Sequence, residues 1–135
     1  MAQTATKQQV LEYALNAKNN AAYTRYNPIQ IRKDIGNNIS LKKMLPFFDQ
    51  GYAIIKKVNE AGNSLTPAMA VKYDEEMKQV MTQIDKLSSG LPTGNKIPEC
   101  FRGCDDNYPG LGGGQGWKRF TCKMVCLIVE VSHNN

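Results

Sequence analysis

All four cysteines fall in the last third of the chain, as two Cys-x-x-x-Cys pairs: Cys100 with Cys104, and Cys122 with Cys126. Residues four apart on a helix share a face, one turn apart. Each pair therefore presents two sulfurs from one side of a helix. Between the pairs, residues 105–121 include the turn-forming run "PGLGGGQG", which is free to reverse the chain. Two antiparallel helices would then face each other across two rungs, Cys104–Cys122 inside and Cys100–Cys126 outside. Four cysteines allow three connectivities. Parallel pairing, Cys100–Cys122 with Cys104–Cys126, suits a hairpin less well. A disulfide closing a loop of this size contributes roughly 3 kcal/mol in the chain-entropy model. That term offsets the entropy lost in ordering a glycine-rich turn. The main rival is a zinc site using all four thiolates, but structural sites more often use Cys-x-x-Cys knuckles. A redox-active dithiol would need Cys-x-x-Cys beside a βαβ pattern, which is absent.

Over residues 100–126, the twin Cys-x-x-x-Cys spacing resembles the small mitochondrial intermembrane-space chaperones and the plant α-hairpinin peptides. The resemblance implies a helical hairpin crossed by disulfides. It is a resemblance of spacing and implies nothing about function. The glycine-rich loop and the first 90 residues have no counterpart in those families.

Disulfides imply an oxidising compartment, so the chain is expected to be secreted or periplasmic. Its first ten residues, "MAQTATKQQV", are polar and do not read as a signal peptide. No run approaches the roughly 20 apolar residues that span a bilayer. The chain has 135 residues, 41% of them hydrophobic, enough for one domain with a core. Within it, residues 1–90 form a helical part, 91–98 a linker and 99–135 the cysteine hairpin. The net charge of +5 favours a partner with an acidic surface. The lysines occur as scattered pairs, without the interleaved aromatics that would signal nucleic-acid binding.

Helical spacing runs through residues 6–23, with Thr6 as N-cap. Asn27-Pro28 breaks the pattern, and Ile29 to Ile35 is a short helical or extended piece. Ser40 is a candidate cap for a second helical region interrupted at Pro46, with an apolar stripe over 46–61. Thr66 and Pro67 open the clearest helix, whose face carries Tyr73, Met77, Val80, Met81, Ile84 and Leu87. Pro98 suits the start of the first hairpin helix, and Asp105-Asp106-Asn107 its end. The segment "WKRFTCKMVCLIVEV" is rich in β-branched residues, which favours a strand. Its cysteine spacing favours a helix, and a helix apolar on nearly all sides must be buried among others. The expected fold is all-α: a compact domain of four to five helices with a C-terminal disulfide-linked hairpin.

No catalytic signature is present. "GLGGGQG" lacks both the dinucleotide fingerprint and the Walker A lysine. "CDDNYPG" lacks the alternating oxygen ligands of a calcium loop. His133 is the only histidine and sits near the C-terminal end, which disfavours a His-based nucleophile pair. Asp74, Glu75 and Glu76 read as a solvated first helical turn. The sequence therefore implies no cofactor and no metal in the oxidised chain. It favours a binding protein with an unidentified protein or acidic-surface partner over an adaptor stabilised by zinc or a small carboxylate hydrolase. Tyr108, Leu111 and Trp117 bracket the glycine loop and are the candidate binding residues, since Tyr and Trp are enriched at hot spots. Trp117 has two possible places: displayed at the tip, or capping the core beneath the loop.

Overall fold

The structure is a computed structural model that describes residues 4–91 and 96–133, with side chains described through residue 130. It is all-α, with seven α-helices and one 3-10 turn among the described residues. In chain order they are α1 (Lys7–Lys18), α2 (Ala21–Arg25), α3 (Pro28–Ile35), α4 (Ile39–Ala61), the turn Gly62–Ser64, α5 (Pro67–Ser88), α6 (Lys96–Asn107) and α7 (Gln115–His133). None is long and apolar enough to cross a membrane.

The helix count exceeds the four to five expected because asparagines divide the first part of the chain. Residues 6–23 are two helices: Asn20 accepts a hydrogen bond from the Ala22 N–H and starts α2. Asn27 likewise accepts from Ile29 and Gln30, with Pro28 in the first turn, so the next piece is the helix α3. Asn38, not Ser40, caps α4 through the Leu41 N–H. An Asx side chain can satisfy a free first-turn N–H and still leave its own backbone extended. Pro46 does not end α4, which runs through it for 23 residues. Pro46 and Lys42 are both exposed, so the break in the hydrogen-bond ladder lies on the solvent side of the helix.

Thr66 caps α5 through the Met69 N–H, as its sequence indicates. α6 begins at Lys96, within the stretch assigned to the linker; residues 92–95 lie outside the described part. The last segment is helix rather than strand. Trp117, Phe120, Met124, Cys126 and Leu127 on it are almost completely buried, and its burial by the helices around it overrides β-propensity.

α4 and α5 pack along one another, α1 packs against both, and α7 packs against α1, α2, α5 and its hairpin partner α6. Gly51 permits the closest part of this arrangement. A Cβ at Gly51 would overlap the ring of Phe120, which is fully buried and lies 5.6 Å, centroid to centroid, from Phe48. In an exposed helix, Gly→Ala stabilises by roughly 1 kcal/mol. Here Gly51→Ala should destabilise by about 1–3 kcal/mol through overpacking. Urea denaturation followed by circular dichroism measures the sign, and a more stable variant would contradict the close approach of α4 to α7.

Two polar ties fix the outer helices. The Asn59 amide donates to the Ala14 carbonyl of α1 and to Ile55 of its own helix, both at 2.9 Å. Tyr26 donates to Asp49, which also accepts from Arg32 at 2.7 Å. Burial, followed by the Asp49 hydrogen bond, raises the Tyr26 hydroxyl above its ordinary pKa.

Candidate functional site

The disulfides are Cys100–Cys126 and Cys104–Cys122, with Cα separations of 5.8 and 5.7 Å. They are the two rungs of an antiparallel α6–α7 hairpin. The rungs stack on each other, with Cys104 Sγ 3.6 Å from Cys126 Sγ. The sulfurs of Cys104, Cys122 and Cys126 consequently lie within 4.8 Å of one another. A thiolate ligand set for zinc is available only to the reduced chain.

A second set of contacts sets the pitch of the hairpin. Arg119 and Lys123 lie four apart on α7 and point to the same side. Both are almost wholly buried. Asp85 of α5 accepts from Arg119 Nη2 and from Lys123 Nζ, each at 2.8 Å. Asp105 of α6 pairs with Lys123 at 2.9 Å. Arg119 Nη1 also donates to the backbone carbonyls of Tyr108, at 2.6 Å, and Gly110. One guanidinium thus joins α5, α7 and the start of the glycine loop, and its planar fork suits this set of acceptors.

Beneath that loop, between α1 and the hairpin, lies a cleft of about 470 Å³. This is within the range of small-molecule sites. One wall is a face of α1 formed by Tyr13, Asn16 and Ala17, continued by Asn20 at the start of α2. The opposite wall is a face of α7, formed by Lys118, Thr121, Cys122 and Val125. Cys100 and Cys126 bring the outer disulfide into the lining, and Trp117 forms the floor. Gly114 closes the end beside Tyr13. With φ at +82°, it lies where a Cβ would approach the Tyr13 ring to 2.5 Å. The loop can therefore lie against the ring only with glycine at this position.

Of the two places open to Trp117, the structure has the core position. It is 1% exposed, and its indole N–H donates to Asp74 at 2.8 Å. It also contacts Tyr13, with ring centroids 6.2 Å apart. Tyr108 is half-buried and lines the cleft. Leu111 is half-buried and packs behind the loop against Gly116, outside the lining. Asp74 departs from the solvated turn expected of it. It is 4% exposed and accepts from Trp117 while pairing with Lys78 at 3.2 Å. One more residue of helical rotation from Tyr73 turns it inward, where an indole donor satisfies it. Glu75 remains exposed and pairs with Lys78. Burial, and then the carboxylates of Asp74 and Glu12, raise the Tyr13 hydroxyl above its ordinary pKa. The His133 side chain lies outside the described part.

The chain matches no protein-family model, no curated protein and no solved structure. What the cleft can do must be read from its own chemistry. It offers an apolar floor, two disulfides that stiffen one wall, and a polar rim. Among the described residues lining it, none is a carboxylate or a histidine.

Proposed function

We propose that this chain is a small, non-enzymatic binding protein that works outside the cytoplasm, and that it binds its ligand in the cleft between α1 and the hairpin. The observation that carries this reading is the cleft itself, which has an aromatic and sulfur-lined interior. A wall stiffened by two disulfides loses little conformational entropy when a ligand arrives. The disulfides also support an extracytoplasmic setting, since reduced thiols prevail in the cytosol of most organisms. Tyr108 lines the site, and Trp117 supports it from the core beneath. Leu111 supports the loop from behind. A partner with an acidic surface is in keeping with the net charge of +5.

The test fills the cleft without disturbing the core. Asn16 is exposed on α1 and lines the opening, so Asn16→Trp places a bulky ring inside it. Saturation-transfer NMR with a panel of small apolar molecules should show binding to the wild-type chain and loss of binding to Asn16→Trp. Circular dichroism should show the same helical content for both. Binding that survives Asn16→Trp would place the site elsewhere, and a wild-type chain that binds none of the panel would remove the cleft as a ligand site.

A further inference from the structure

The rim of the cleft is unbalanced in charge. Lys118 lines it, is exposed, and has no carboxylate partner among the described residues. Among the described residues, other unengaged groups around the rim can donate hydrogen bonds. The Asn20 side chain uses its oxygen on the Ala22 N–H, which leaves its NH₂ free to donate. The Asn16 amide and the Tyr13 and Tyr108 hydroxyls add further donors. Thr121 is already committed, since its hydroxyl donates within α7 to the carbonyls of Trp117 and Lys118. Of the two carboxylates that act on Tyr13, Asp74 lies behind Trp117 and is satisfied by the indole and Lys78, and Glu12 is exposed to solvent outside the lining.

We infer that the cleft takes a small amphipathic monocarboxylate, with its apolar chain or ring over Val125 and the Cys100–Cys126 disulfide, above the buried Trp117, and its carboxylate at Lys118. This inference rests on the reading of the cleft as the binding site. The chemistry is complementary at both ends. A hydrocarbon body displaces water from an apolar floor, and a carboxylate meets one unpaired ammonium and amide donors. A cationic amphiphile would meet Lys118 as a like charge. A neutral one would bury the same hydrocarbon without the charge-assisted contact. The volume of about 470 Å³ suits a medium-length chain or a single ring system rather than a folded partner.

Isothermal titration calorimetry with decanoate, decan-1-ol and decyltrimethylammonium tests this at low salt. Decanoate should bind the wild-type chain most tightly and decyltrimethylammonium least. Lys118→Gln should weaken decanoate about two- to fivefold, the range for one exposed charge contact, and leave decan-1-ol unchanged. Asn16→Trp should abolish binding of both. If decyltrimethylammonium binds as tightly as decanoate, or Lys118→Gln leaves decanoate unaffected, the carboxylate assignment is wrong while the cleft still stands as a site. If none of the three binds, the cleft reading falls and this inference falls with it.

Discussion

Asp85→Ala should be among the most damaging single substitutions in this protein, lowering the unfolding free energy by about 3 kcal/mol. Asp85 is the carboxylate shared by Arg119 and Lys123. Removing it leaves Lys123, which has no exposed surface, dependent on Asp105 alone. Arg119 keeps two backbone carbonyls and a distant Asp105 oxygen at 3.7 Å. Removing one partner of a buried ion pair costs about 3–5 kcal/mol, because the other charge remains buried without compensation. The lower end applies here because Asp85 is about one-third exposed, and water can enter the gap it leaves. The reverse substitution has a different outcome. Lys123→Met keeps the apolar stem over the Phe101 ring, where the ammonium now sits 5.3 Å from the centroid. It leaves behind only carboxylates that water already reaches, so the change should stay within about 1 kcal/mol. Urea denaturation of both variants measures the contrast. If Lys123→Met proves as damaging as Asp85→Ala, the buried cation is not what Asp85 is there to satisfy.

The second large effect concerns the two rungs. Each disulfide closes a loop, with sequence separations of 26 and 18. The rungs are nested, so the first to form closes the long loop and the second closes only a short ring. Removing one rung by substituting both of its cysteines with Ser should therefore cost about 2–3 kcal/mol. Removing both should cost more than the sum of the two, by about 1 kcal/mol, because the last closure of the glycine-rich loop is then lost. Within one rung the opposite holds. Cys104→Ser and Cys122→Ser should each cost a few kcal/mol, and the double variant should be little worse than either, since both break the same bond. Thermal denaturation of these five variants and the wild-type chain gives these numbers. Additive losses for Cys104→Ser and Cys122→Ser would show that they are not partners. Intact mass with and without reductant provides the companion measurement, with a gain of about four hydrogens when both bonds open.

Much of the fold can be read from short-range chemistry. The antiparallel rungs follow from two helical i, i+4 cysteine pairs and a loop made to turn. Thr66-Pro67 opens α5 because a hydroxyl acceptor and a fixed φ both suit a first helical turn. These are properties of a few neighbouring residues, so the sequence shows them directly. The divisions at Asn20 and Asn38 were also local. The Asx acceptors that make them are visible in the sequence but compete there with continuing helical spacing.

Other features depend on neighbours far away in the chain, and only the tertiary structure decided them. Residues 117–131 carry β-branched side chains, yet the surrounding helices make α7 a buried helix. Arg119 and Lys123 are cations on that helix, four apart and facing the same way, unlike the exposed Lys118 beside them. That spacing is a legible hint of buried partners. Nothing local identifies Asp85, 34 residues before Arg119, as the one that meets them. Asp74 looks like a solvated helix start until Trp117, 43 residues later, supplies the donor that makes its burial tolerable. The cleft is the most remote property of all. It requires Asn59 to hold α1 against α4, Gly114 to lie on Tyr13, and two disulfides to set the opposite wall. A binding cavity is the space left between elements that pack elsewhere, so its shape follows from how they pack and cannot be read from any one segment.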